Sequence, residues 1–110
     1  MVKDTSIKNV GLELRRGVIV LAVLSHLRQE GYGYSVLKSL SEKGLEIDQG
    51  TLYPLLRRLE SQGWLQSDWR VESDRPRRYY ALSSEGEIVL QQLTNEWKQL
   101  VGTINNILKE

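Results

Sequence analysis

Leu52, Leu55, Leu56 and Leu59 recur at i, i+3, i+4 and i+7, which predicts an amphipathic helix from Asp48 to Gly63 with its leucine stripe against a core. At about 100° per residue, Gly50, Pro54, Arg57 and Ser61 fall opposite that stripe, with Tyr53 and Arg58 on its flanks. Asp48 suits the N-cap, bonding toward Thr51, and Pro54 lies too deep for the first turn, predicting a slight kink. Upstream, Leu12 to Leu27 reads as a helix that is apolar nearly all round. Leu14, Val18, Leu21 and Ser25 mark one stripe, and Ile19, Val20, Ala22, Val23 and Leu24 fill the rest. Such a helix needs cover on two sides. Residues 1–10 are polar and aperiodic, predicting an N-terminal arm or the frayed start of that helix. Gly31-Tyr32-Gly33-Tyr34 breaks the pattern, and a short helix over Ser35 to Glu42 follows, with Val36, Leu37 and Leu40 inward and an exit at Lys43-Gly44.

After Gly63 the period drops to two. Leu65, Ser67, Trp69 and Val71 point one way and Gln66, Asp68, Arg70 and Glu72 the other. Ser73-Asp74-Arg75-Pro76 is turn chemistry, and Arg78 to Leu82 returns as a second strand. The expected fold is therefore mainly α with a small β-hairpin: a winged helix-turn-helix in which the helix from Asp48 reads a groove and the hairpin is the wing. Ser84-Glu85-Gly86-Glu87 has capping-box spacing and opens a last helix. Its apolar residues Leu90, Leu93, Trp97, Leu100, Ile104 and Ile107 alternate three and four apart, a heptad seam. The seam spans about 2.5 heptads, less than a free-standing coiled coil needs. A homodimer in which this helix crosses the first helix of the partner gives each the cover it lacks. The expected organisation is an arm over 1–10, a DNA-binding domain over 11–83 and a C-terminal dimerisation helix over 84–110.

Composition sharpens this only in places. Fifteen basic and fourteen acidic residues leave a formal charge of +1, so binding to nucleic acid must rest on local clustering, of which Arg75-Pro76-Arg77-Arg78 is the clearest case. The absence of cysteine removes disulfides, thiol nucleophiles and thiolate metal sites. No apolar run is long enough to span a bilayer and no secretory pattern opens the chain, which predicts a cytoplasmic protein. His26 has no ligand-spaced partner, and no nucleophile, base and orienting group come together, so neither a metal site, a cofactor nor catalysis is expected. Two arginines and a tyrosine on a leucine-anchored helix suit an anion with readable edges, and duplex DNA fits that description. The alternative is a winged-helix module for protein contact without intrinsic DNA binding, docking through Tyr53, Pro54 and Trp64.

Tyr32-Gly33-Tyr34, the run Gly50 to Glu60 with Gly63 after it, and Arg75 to Ser83 with Gly86 together resemble the PadR family of bacterial transcription regulators, in its short subgroup with a single C-terminal helix. The resemblance covers the chain from about Leu12 onward. It implies a homodimeric winged-helix repressor whose recognition helices enter successive major grooves of a near-palindromic operator in double-stranded DNA. Carried over by position, Gln49, Thr51, Tyr53, Pro54, Arg57 and Arg58 lie on the DNA-facing helix, Tyr34 and Lys38 where the preceding helix approaches phosphate, and Arg75 and Arg77 on the wing. The resemblance also implies a small planar aromatic effector at the dimer centre, stacked on Trp97. Val18 and Leu21 would line that pore, and Val101 stands where relatives carry an acidic residue.

Overall fold

The structure is a computed structural model that describes residues 3–109. Its elements in chain order are α1 (Asp4–His26), β1 (Gly31–Tyr32), α2 (Gly33–Glu42), α3 (Gln49–Ser61), β2 (Leu65–Glu72), β3 (Arg75–Leu82) and α4 (Ser84–Lys109). The three strands form one antiparallel sheet in the order β1-β3-β2. A winged helix-turn-helix is thus present, with α4 continuing beyond it.

The core is built from one face of each helix. Ile19, Val23 and Leu24 of α1, followed by Leu27, meet Val36 and Leu40 of α2 and the α3 stripe Leu52, Leu55, Leu56 and Leu59; Leu65, Tyr80 and Leu90 close it from the sheet and α4. All four stripe leucines of α3 are buried, as their spacing predicts. Helix α3 runs on through Pro54, a residue with no N–H to donate back to Gly50.

Both α2 and α3 end in a Schellman turn. Gly44 (φ 98°) donates to the Ser41 carbonyl and Leu45 to that of Leu40; Gly63 (φ 87°) donates to the Glu60 carbonyl and Trp64 to that of Leu59. Only glycine takes that conformation without a Cβ penalty, and the second turn aims the chain straight into β2.

Several expectations change. Residues 4–10 are the first turns of α1, so the stretch expected as an arm or a frayed helix start is helical from Asp4 onward, with Lys3 extended before it; Met1 and Val2 lie outside the described residues, as does Glu110 at the other end. This part of α1 projects beyond the core, with Ile7, Val10 and Leu14 exposed. Helix α2 begins at Gly33, two residues before Ser35, because Ser35 Oγ accepts the Tyr32 N–H at 3.0 Å and donates back to the Tyr32 carbonyl at 2.8 Å. The hairpin expected alone gains a third strand, β1, pairing Gly31 with Tyr80 and Tyr32 with Tyr79.

The wing turn is tighter than the turn chemistry suggested. Ser73 and Asp74 alone make it, with φ of 49° and 65°, and Arg75 and Pro76 belong to β3, opposite Glu72 and Val71. Pro76 is tolerated there because β1 pairs only with Tyr79 and Tyr80, leaving β3 without a second neighbour at the tip. The cap moves from Ser84 to Ser83, and with Gly86 at its third position no capping box can form. Ser83 is the cap: its Oγ accepts the Gly86 N–H at 3.0 Å and donates to the Gly63 carbonyl at 2.6 Å, fastening the start of α4 to the end of α3.

Candidate nucleic-acid interface

The chain from Tyr32 to Tyr80 brings α2, α3 and the two strands of the wing around one groove. It is an open cleft of about 560 Å³ lined by Tyr34 of α2, Tyr53 and Arg57 of α3, and Arg75 and Arg77 of β3, with Trp69, Pro76 and Arg78 completing its wing side. These residues are far apart in sequence and meet because the Gly63 turn brings β2, and with it the wing, back against α3. Among the described residues, no carboxylate lies within ion-pair distance of Arg57, Arg75 or Arg77. The cleft therefore presents uncompensated positive charge beside aromatic faces, a combination suited to a phosphodiester strand with exposed base edges.

Close approach of α2 to α3 shapes the floor. A Cβ on Gly33 would lie 2.1 Å from Cε1 of Tyr53, so the Tyr53 ring rests across the first residue of α2 where only glycine leaves room. At the start of α3, Asp48 Oδ1 accepts the Thr51 hydroxyl at 2.6 Å. That hydrogen bond, ahead of those to backbone, holds the Asp48 carboxyl below its ordinary range. Asp48 thus precedes the helix as expected, but its partner is the Thr51 side chain.

The remaining residues expected on this face divide. Gln49, Thr51, Pro54 and Arg58 are exposed along α3, and Lys38 is exposed on α2, all outside the groove lining. Arg58 has no carboxylate within ion-pair distance among the described residues. Trp64, expected beside Tyr53 and Pro54 in a protein-docking patch, is half-buried against the core, whereas Tyr53 and Pro54 are exposed.

Sequence reasoning missed Trp69 and the wing's internal pairing. Trp69 is 64% exposed although it alternates with the buried Leu65, because the wing runs past the edge of the core. Arg78, expected with the basic tip, is tied down: its Nη2 meets Glu60 Oε1 at 2.7 Å and its Nε–H donates to Ser67 Oγ at 3.0 Å. Arg70 reaches back across the sheet to Glu30, with Nη2 2.7 Å from Oε2, and lies 4.5 Å over the Tyr79 ring. Those contacts, Glu30 foremost, raise the Arg70 pKa, and the Tyr79 phenol is raised chiefly by its hydrogen bond to Glu72. Arg77 stacks 4.5 Å over Tyr32, whose ring meets Tyr79 edge-on at 5.4 Å.

A second, apolar groove of about 330 Å³ lies between α1 and α4. Val18, Leu21 and Trp97, expected around an effector, all line it, together with Leu14, Leu93 and Leu100. Val101 is half-buried and is not part of the lining; the groove's carboxylate is Glu96. The heptad seam splits in two. Leu90 is buried in the chain's own core with Leu93 packed against it, whereas Trp97, Leu100, Ile104 and Ile107 are exposed.

No helix among the described residues is long and apolar enough to cross a membrane. Residues 20–92 match the transcriptional regulator PadR-like family. A transcriptional regulator of Mycobacterium tuberculosis is 37% identical over 81 residues, covering 73% of this chain and 76% of that protein. The crystal structure of a PadR family transcriptional regulator from Eggerthella lenta is 45% identical, with a TM-score of 0.88 over 96% of this chain and 94% of that one. A PadR-like transcriptional regulator from Bacillus cereus is 27% identical, with a TM-score of 0.78 over 89% and 98%. The chain belongs to the PadR-like family, whose members are transcriptional regulators and not enzymes.

Proposed function

We propose that this regulator is a homodimeric, sequence-specific DNA-binding repressor. Its unit over 11–83 binds the operator and its C-terminal segment over 84–110 supplies much of the dimer contact. The observation that carries the reading is the convergence of Tyr34, Tyr53, Arg57, Arg75 and Arg77 on one cleft, where, of the four lining arginines, only Arg78 has a carboxylate partner among the described residues. Helix α3 lies in the major groove with Gln49, Thr51, Tyr53 and Arg57 toward base edges, while Tyr34, Lys38, Arg75 and Arg77 hold phosphate. The apolar row Trp97, Leu100, Ile104 and Ile107, exposed in the single chain, supports pairing with a second copy. Two such chains place two recognition helices on a near-palindromic operator.

The α1–α4 groove fits a small planar aromatic effector stacked on Trp97, and Glu96 gives it a handle for positive charge. An effector that binds better to a spacing of the recognition helices unsuited to the operator shifts the population away from the DNA-competent state. Gel retardation of promoter DNA tests the core of the reading. Arg57→Ala should weaken binding and relax base discrimination, whereas Arg75→Ala should weaken binding to all sequences and shallow the salt dependence. Unchanged retardation by both variants contradicts it.

A further inference from the structure

The wing carries Arg70, Arg75, Arg77 and Arg78, yet they are not equivalent. Arg75 and Arg77 have no carboxylate partner among the described residues, and Arg78 is held by two elements at once. Its guanidinium bonds Glu60 on α3 and Ser67 on β2, and the Ser67 hydroxyl donates to the other Glu60 oxygen, closing a ring of three side chains. The ring is partly sheltered: Glu60 and Arg78 side chains are 27% and 35% exposed, and Arg78 lies 5.7 Å from the Trp69 ring centroid and 5.5 Å from that of Tyr80.

Glu60 lies in the last turn of α3, where the helix dipole disfavours a carboxylate. A carboxylate also sits poorly beside a cleft meant for phosphate. Neither local helix chemistry nor nucleic-acid affinity accounts for Glu60, whereas its bonds across to the wing do. Backbone pairing fixes the hairpin's own register, from Leu65 opposite Leu82 to Glu72 opposite Arg75, but does not fix its angle to α3.

We infer that Glu60, Ser67 and Arg78 form a latch that sets the angle between α3 and the wing, which makes Glu60 a positioning residue for duplex binding and not a contact. The inference rests on the DNA-binding reading above for its consequence, though the latch itself can be tested without DNA. Arg78 is matched to this role by geometry: its rigid planar fork holds Glu60 and Ser67 in fixed directions from two separate nitrogens, where a lysine offers only a compact point charge on a flexible stem.

The absence of cysteine allows clean labelling of the full chain. Spin labels at Gln62→Cys and Asp74→Cys, diluted with unlabelled chain, report the distance from the end of α3 to the wing tip. A single narrow distribution is expected in the parent, broadened in Glu60→Gln and in Arg78→Lys, and narrowed again in the swap Glu60→Arg with Arg78→Glu. The second arm compares affinity for a fragment selected from genomic DNA with that for a random-sequence duplex of equal length. Glu60→Gln should lower that ratio by roughly fivefold, although deleting a negative charge alone strengthens binding to any duplex. Circular dichroism melts confirm that each variant is folded. An unchanged distance distribution in folded Glu60→Gln, or tighter binding to both duplexes at an unchanged ratio, overturns the latch. A parent protein retained by neither duplex overturns the DNA reading, and the positioning role with it, while the distance arm separately judges the ring of contacts.

Discussion

Tyr53 lies on Gly33: a Cβ at position 33 would come within 2.1 Å of its ring. Helix α2 therefore seats a residue of α3, and the seat is the missing side chain. Gly33→Ala should move Tyr53 while leaving the fold intact, because the ring has a solvent-facing side to turn toward and alanine is well tolerated at the first residue of a helix. Operator retardation should weaken severalfold with the thermal midpoint unchanged or raised. A variant that binds as tightly as the parent would show that the Tyr53 position does not matter for recognition.

Gly86 gives the opposite balance. A Cβ there would lie 2.1 Å from the Trp64 carbonyl oxygen, a backbone atom held by its hydrogen bond from the Ser83 N–H. Nothing flexible can give way, so Gly86→Ala should cost about 1–3 kcal/mol in denaturant unfolding. Gly102, farther along the same helix with open space around it, should respond to alanine with a gain of about 0.5–1 kcal/mol. Equal responses at the two positions would contradict the packing of α4 on the α3–β2 corner.

How much of this was written in the sequence depends on range. The leucines of α3 and the alternation of β2 are local periodicities; the first is buried throughout as read, whereas the second shows in burial only from Leu65 to Asp68 and fails from Trp69 onward. The pairing of Arg78 with Glu60 spans 18 residues and that of Arg70 with Glu30 spans 40, so no window along the chain exposes them. Arg78 consequently read as one more charge of a basic tip. Strand β1 escaped because two residues give no alternation, and its pairing depends on β3 arriving beside it. The first turns of α1 have no buried face in the single chain, and their sparse apolar residues, Ile7, Val10 and Leu14, stand exposed among polar neighbours, too few to mark a helix by themselves. At the candidate site the tyrosine and arginine positions were legible, but Trp69 was hidden by an alternation that does not reveal where the core ends.

His26 makes stability depend on pH. Burial, with the charge of Lys43 adding to it, lowers its pKa below the ordinary 6.5. The unfolded chain then binds more protons than the folded one below that value. The contribution is fully present above pH 6.5 and is lost as pH falls through the depressed folded value. The urea midpoint should therefore drop between pH 7.5 and pH 5, and His26→Gln should flatten that part of the profile. An equal slope in the variant would remove His26 from the explanation.

The split seam separates folding from association. Ile104 is exposed in the single chain, so Ile104→Glu should leave the helical content intact while shifting sedimentation from the mass of two chains toward one. Operator affinity should fall at least tenfold, as two linked contacts become one. Leu90→Glu should instead unfold the protein, because Leu90 sits in the core. A dimer that survives Ile104→Glu would place the interface elsewhere.

The central claim is that two α3 helices read one operator. Selection of bound fragments from the organism's genomic DNA, followed by footprinting, tests it most directly. The expected result is one enriched sequence with inverted half-sites about 10–10.5 base pairs apart, protected on one face of the duplex. Recovery of fragments with no shared sequence, or of a single unrepeated half-site bound by one chain, would contradict it.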